Sequence, residues 1–383
     1  MSIEILGVLF HKNMSEISPA EPDSPPFDTE MVGKLARAYD ENGFDRVLIL
    51  QNSFAADPLP IATHAAALTR RLAFMIAHRP GFVAPTMAAR MFATLDHLSG
   101  GRVGVHIITA GNDVETRCDG DYLTKEERYR RSREYVEVLR TMWASREPVD
   151  FAGDFYRFDR ALGELHPVNG TIPIYFGGAS PSALDYAGQC ADVYAMGGLQ
   201  PLAEMRAFAE RVRASAAKAG RAVKLQASVR IIMGETEAAA WQQADAIVDG
   251  LRAIAEEQRS MRESGKVATR PGMRIDDSLS TGKGGDGVAA IRAFAAGRDL
   301  LDKRLWTGAT KASQTFSTPM IPPVLVGTAE QIADALGDYY DLGITGFLMR
   351  GFDLLGDIPV MGRELIPRLR QMAVDRAPVR LPA

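Results

Sequence analysis

Three histidines close short apolar runs in the first part of the chain. His11 follows EILGVLF (4–10), His78 lies in LAFMIAHRP (72–80) and His106 in RVGVHIITA (102–110). If these runs are parallel strands of one barrel, their carboxyl ends share the face where such barrels carry active sites. Imidazoles placed there can hold a ligand or carry a proton near neutral pH. His64 and His97 fall in helical patterns and read as structural, while His166 stands in a loop with no evident partner. A second group suits an anion. FGGASPSALDYA (176–187) sets Gly177 and Gly178, then Ser180, ahead of a helix, so that backbone N–H groups and a hydroxyl can meet a phosphate at the helix amino end. Arg128 and Tyr129 in ERYRRSREY (127–135) bring a guanidinium and a phenol to a helix start and would complete a dianion site. An ordinary βα turn and a solvated basic helix face would read the same way.

Other chemistries lack their minimum residues. No H-E-x-x-H, paired C-x-x-C or G-x-S-x-G occurs, which removes the zinc and nucleophile-elbow hydrolases. GKGGDG (282–287) has the form G-x-G-x-x-G, but the preceding IDDSLST is not a buried strand, so it reads as a loop. A nicotinamide, if one supplies electrons, is then handled by another protein. Cys118 and Cys190 are too few for a disulfide framework or a clustered zinc site, and no metal is expected. Forty-four basic against 48 acidic side chains, net −4, give no general attraction for nucleic acid. No stretch reaches the ~20 apolar residues of a membrane span, and the opening residues lack a basic n-region. A cytoplasmic protein without membrane association is the expectation.

The elements that must position these residues alternate. Strand-like runs at 4–10, 45–50, 72–80, 102–110, 173–178, 191–196, 224–233 and 343–351 are separated by helical patterns at 29–42, 59–70, 86–98, 125–143, 201–219 and 235–256. Residues 147–172 read as loop, punctuated by Pro148, Gly153, Pro167 and Gly170. Eight strands alternating with helices predict an α/β fold, a closed (β/α)8 TIM barrel, built as a single domain over 1–383. Between the seventh helix and the eighth strand lies an insertion, 258–325, with a Gly- and Ser-rich stretch at 260–287 and helical pieces at 288–297 and 327–341 flanking KASQTFSTPMIPPV (311–324). With 46% apolar and 24% charged residues, the 383-residue chain can bury a substantial core.

AHRPGFVAPTMAARMFATLDHLSGGRVGVHIITAGND (77–113), RYRRSREYVEVLRTMW (128–143), DFAGDFYRF (150–158) and PIYFGGAS (173–180) together resemble the flavin-dependent alkanesulfonate monooxygenases of the bacterial-luciferase-like superfamily. The likeness runs from His11 to Gly362. It implies the same barrel with an insertion before the last strand. It also implies a two-component enzyme in which a separate NAD(P)H-dependent flavin reductase delivers reduced FMN, which reacts with O2 to oxygenate a small substrate under a mobile loop. By resemblance, Arg128, Tyr129, Gly178 and Ser180 meet the FMN phosphate. His106, where relatives often have Asn, lies beside the flavin with Thr109 and Glu115, and the lid comes from about 258–287. Family habit suggests a homo-oligomer, a dimer or tetramer.

Departures from the sulfonate pattern fall where the substrate should sit. The relatives' pocket cysteine corresponds to Ala55, and their arginine and histidine on the seventh strand to Ser228 and Arg230. Their tyrosine after the eighth strand is Phe352, which lacks the hydroxyl, and a tryptophan after the sixth is Gly197, which opens space. His11, Arg230 and Arg350 are the candidate catalytic groups, with Lys311 a further cation for an anionic substrate. The expected reaction is oxidative desulfonation or oxygenation of an organosulfur compound. Its rivals are oxygenation of a heterocycle or biosynthetic intermediate, a deazaflavin-dependent reductase, and a noncatalytic flavin-binding protein.

Overall fold

A computed structural model describes residues 2–12, 25–109, 113–264, 300–313 and 321–376. The first four units are β1 (Glu4–Val8) with α1 (Thr29–Glu41), β2 (Arg46–Ile49) with α2 (Pro58–Leu68), β3 (Ala73–His78) with α3 (Pro85–Ser99), and β4 (Val103–Ile107) with the short α4 (Asp113–Cys118) and α5 (Lys125–Ala144). A hairpin of β5 (Val149–Ala152) and β6 (Arg157–Ala161) leads to β7 (Ile174–Gly177) and α6 (Pro181–Cys190). Then come β8 (Val193–Gly198) with α7 (Leu202–Lys218), and β9 (Lys224–Met233) with α8 (Glu237–Glu263). The remainder comprises β10 (Leu300–Leu301), β11 (Leu305–Trp306), α9 (Gly308–Ser313), β12 (Val324–Gly327), α10 (Ala329–Asp341) and β13 (Ile344–Arg350). Finally α11 (Leu354–Val360) passes through a π turn, Met361–Leu365, into α12 (Ile366–Asp375).

Parallel pairing runs β1–β2–β3–β4–β7–β8–β9–β13 and returns from β13 to β1, which closes the eight-stranded barrel. Helix starts are written locally. Asp28 caps α1, Asp57 caps α2 ahead of Pro58, and Ser180 caps α6 ahead of Pro181. Thr124 with Glu127 and Thr328 with Gln331 form reciprocal capping boxes on α5 and α10.

Strand alternation sorts side chains between two cores. Ile5, Val47, Phe74, Ile76, Val105, Ile174, Phe176, Ala227, Val229 and Phe347 face the helices, whereas Leu6, Val8, Met75, Tyr175, Val193 and Leu348 fill the barrel. At the amino-terminal end of the barrel, Arg46 pairs with Glu4 at 2.9 Å and lies over the Tyr175 ring, 5.4 Å from its centroid.

β9 is the branch point of the sheet. Its first half pairs with β8 up to Gly198↔Ser228, and from Arg230↔Val324 onward the same edge is taken over by β12, which β11 and β10 extend in antiparallel fashion. A separate core of Ile232, Ala240, Ile247, Leu251, Val324, Val326 and Phe352 joins this extension to α8.

Several expectations change. Residues 149–161, read as loop, form the β5–β6 hairpin, whose short four- and five-residue strands carry too little alternation to stand out. The seventh helix continues to Glu263, so the first residues of the expected lid at 258 are helix. Most of that lid and the helical piece at 288–297 lie outside the described residues. The insertion contributes strands as well as helix. Among the described residues no helix is long and apolar enough to cross a membrane.

Candidate active site

Arg230 and Arg350 are Cα register partners on β9 and β13, and both belong to the inward-facing sets of their strands. The Arg230 guanidinium stacks on the Phe352 ring at 4.2 Å, and that of Arg350 lies over Phe10 at 5.8 Å. Like charges on directly opposed positions repel, so this pair raises the positive potential of the mouth. Asp357 accepts the amides of Phe352 and Asp353 at 2.8 Å; burial raises its pKa against the pull of those amides and Arg230. Ser228 lies one inward position deeper, opposite Leu348 and Gly198.

Across the mouth, β7 delivers Gly178 and Ser180 to the amino end of α6. Gly178 has φ 155°, and a Cβ there would stand 2.9 Å from that of Ala183. Its carbonyl accepts the Tyr194 hydroxyl. Tyr129 is buried, and its ring meets Phe176 at 6.2 Å and Tyr186 at 5.8 Å. His106 is on the inward-facing set of β4, the Cα partner of Ala77 and Tyr175, and its buried Nδ1 has no hydrogen-bond partner among the described residues. A ring nitrogen buried without a partner is a costly feature that a ligand's polar edge would relieve.

Arg128, read from the sequence as a phosphate contact, makes its described bonds to the chain itself. Its side chain is 2% exposed, with Nε on the Thr109 carbonyl at 3.0 Å, Nη1 on the Leu123 carbonyl at 2.6 Å and Nη2 on Asp113 at 2.7 Å. It therefore holds the end of β4 to α4 and offers its donors to the chain itself. Thr109, likewise buried, is placed by that bond. Glu115 accepts from Arg79 at 2.9 Å and from the Ser53 amide at 3.2 Å, so this carboxylate is already engaged by protein groups.

The other predicted positions are scattered around the rim. His11 stacks on Phe27 with centroids 5.8 Å apart, and burial, then Lys12, lowers its pKa. Ala55 is half-buried in the loop after β2, its amide 3.4 Å from the Asn52 carbonyl. Gly197 is the penultimate residue of β8, exposed with φ 81°, and among the described residues no atom lies within 4 Å of where its Cβ would be. Lys311 is on α9, between Ala309 and Ala312 of the insertion core. Phe352 is a buried member of that same core and reaches the mouth only as the platform for Arg230.

His78 does not join the mouth. It points between barrel and helices, with Nε2 2.6 Å from the Tyr135 hydroxyl and its ring edge-on to Phe92 at 5.1 Å. Its strand alternates with Phe74 and Ile76 outward, and position 78 shares their parity. The residues missed from sequence are Arg79, Ser53, Asp113 and Tyr194. The one available signal was Arg79 directly after a strand-end histidine.

Burial holds the pKa of both His78 and His106 down to about 4, from an ordinary value of 6.5. The unfolded chain therefore binds more protons than the folded one between those values. Stability must fall as pH drops from 6.5 toward 4, by about 1.4 kcal/mol per pH unit for each ring. Urea unfolding at pH 7 and pH 5 should show this loss, and the double variant H78Q/H106N should flatten it. An equally steep loss in the variant would remove these rings as the cause.

The residue pattern of the luciferase-like monooxygenases matches residues 4–346. Among solved structures, EDTA monooxygenase (EmoA) from Chelativorans sp. BNC1 superposes with a TM-score of 0.73 at 17% identity, covering 99% of this chain and 97% of that one. Riboflavin lyase (RcaE), solved with modified FMN and its substrate riboflavin, gives 0.72 at 17% identity over 100% and 94%. DmoA from Hyphomicrobium sulfonivorans gives 0.72 at 20% identity over 97% and 89%. At such identities the superpositions show a common fold and leave substrates to each protein. The family pattern covers nearly all of the barrel, from its first strand to its last, and on that basis this chain belongs to the luciferase-like monooxygenase family.

Proposed function

We propose that the chain is an FMNH2- and O2-dependent monooxygenase for a small polar or anionic organic substrate, with an organosulfur compound, a sulfonate or sulfone, as the leading case. The observation that carries the substrate class is the opposed pair Arg230 and Arg350 inside the mouth. Two guanidinium groups on adjacent strands suit the oxygens of a sulfonate or carboxylate through charge-assisted bonds.

The residues present fit FMN. The amino end of α6, capped by Ser180 and with the Tyr129 ring packed on Phe176 and Tyr186, suits a phosphate. The unpartnered Nδ1 of His106 suits a polar edge of the flavin ring, and Ala77 and Gly177 keep the neighbouring inward positions small. Reduced FMN would supply the electrons that activate O2. Arg230 and Arg350 orient the substrate, while Phe10 and Phe352 flank them and exclude water. His106 stays neutral near pH 7 because burial disfavours its charged form, so it serves as a hydrogen-bonding group. With no nucleotide fingerprint that follows a strand, reduction of the flavin falls to a separate NAD(P)H-dependent reductase.

A substrate larger than a simple sulfonate is the second reading, favoured by the space that the described residues leave beside Gly197. The test combines the protein with FMN, a flavin reductase and NADH, and screens sulfonates, sulfones, aminopolycarboxylates and nitrogen heterocycles for substrate-coupled O2 uptake and sulfite. A parallel arm replaces FMN with a reduced deazaflavin. Sulfite release supports the first reading, and turnover of heterocycles alone supports the second. Reaction only with the deazaflavin would sink both.

A further inference from the structure

Arg79 follows β3 directly, and its side chain is 3% exposed. From there it reaches two other βα loops. Nη1 donates to Ser53 Oγ at 3.0 Å, in the loop after β2, and to Asp119 Oδ2 at 3.2 Å, just past α4. Nη2 donates to Glu115 Oε1 at 2.9 Å. Those partners also bind each other: the Ser53 amide reaches Glu115 Oε1 at 3.2 Å, and Ser53 Oγ reaches the Glu115 carbonyl at 3.0 Å and Asp119 Oδ2 at 2.6 Å. The outer face of the guanidinium lies over Phe82, 5.9 Å from the ring centroid. One side chain thus gathers the loops after β2, β3 and β4.

We propose that Arg79 is a positioning residue that sets the spacing of the three loops forming this side of the mouth, and through them the affinity for the flavin. The loop after β2 carries Ala55, and the segment after β4 carries Thr109 and α4. Among the described residues, Arg79 is the one nitrogen-bearing side chain in the hydrogen bonds of Ser53 that spans these loops. The guanidinium divides its donors between two fixed nitrogens, Nη1 on Ser53 and Asp119 and Nη2 on Glu115, whereas an ammonium carries all of its donors on a single nitrogen and cannot hold both sets in this geometry. A lysine would balance the charge without making the bridge. Glu115, expected from the sequence beside the flavin, takes part here through Arg79 and Ser53. The inference rests on the reading that this mouth binds reduced FMN, but its structural half does not.

The test uses full-length protein with three single variants, R79K, R79Q and E115Q, and the double variant R79Q/E115Q. Hydrogen exchange is followed in peptides covering 51–57 and 113–119, with 344–350 as a barrel control. Anaerobic titration measures the Kd for reduced FMN. Removing one partner of a buried charged network should speed exchange in both loops about tenfold or more and raise the Kd by a similar factor, while the control stays protected. R79K should resemble R79Q, and the double variant should add little to either single change because the residues act as one unit. Restoration of both readouts by R79K would overturn the bridging role, as would unchanged exchange in either loop of R79Q, or full additivity with E115Q. If wild-type protein takes up no reduced FMN, the cofactor reading fails by itself, and the exchange measurements still decide the role of Arg79.

Discussion

Arg128→Ala is expected to lower folding stability by about 2–4 kcal/mol, read as a shift of the urea midpoint at pH 7. The ion pair with Asp113 accounts for little of this, because that carboxylate is 59% exposed and screened by water. The loss comes from the carbonyls of Thr109 and Leu123, which lose donors at 3.0 and 2.6 Å, and from the void left by a buried side chain. The same measurement separates the two roles for this arginine. A phosphate ligand would change the Kd for reduced FMN and leave the midpoint of the unliganded protein in place. A brace for the end of β4 moves the midpoint without any flavin, and an unchanged midpoint would return Arg128 to the phosphate.

With the FMN phosphate at the amino end of α6, as proposed above, Gly178→Val should weaken binding of reduced FMN more than that of reduced riboflavin. The backbone there has φ 155°, and the new Cβ would meet Ala183 Cβ at 2.9 Å in the first turn of α6. Adapting to that contact moves the amino end of the helix away from the mouth or strains the turn, at a cost of about 1–3 kcal/mol. Because riboflavin lacks the phosphate, a fault confined to the phosphate site reduces reduced-FMN affinity by about tenfold or more and leaves reduced-riboflavin affinity nearly as it was. Paired anaerobic titrations with the two flavins check this. Equal weakening of both would place the phosphate elsewhere. Ser180→Ala, which removes a hydroxyl now capping the Ala183 amide, should act in the same direction with a smaller effect.

The barrel was legible because its signal is repeated. Each strand carries apolar residues toward the helices, each helix a partnering face, and eight such units leave few other ways to bury them. The inward placement of Arg230 could also be read from KLQASVRIIM, where Leu225, Ala227, Val229 and Ile231 take the helix side and leave Gln226, Ser228 and Arg230 for the interior. The same parity argument, applied to AFMIAH, puts His78 on the helix side with Phe74 and Ile76. The three-histidine cluster expected at the mouth thereby loses one member. The β5–β6 hairpin escaped notice because its pairing is antiparallel, short and interrupted by a register shift between Val149 and Phe151.

What the amino-acid sequence determined by itself was local and periodic: the strands and helices, the capping residues Asp28, Asp57, Thr124, Ser180 and Thr328, and which parity of each strand enters the barrel. These follow from hydrogen bonds and burial within a few residues. Tertiary structure alone decided which charges meet. Arg79 and Glu115 are 36 positions apart, and Arg230 and Arg350 are joined only when β9 pairs with β13. A guanidinium's role depends on the carbonyls and carboxylates within 3 Å of it, and closure of the barrel is what brings those groups from distant segments to one rim.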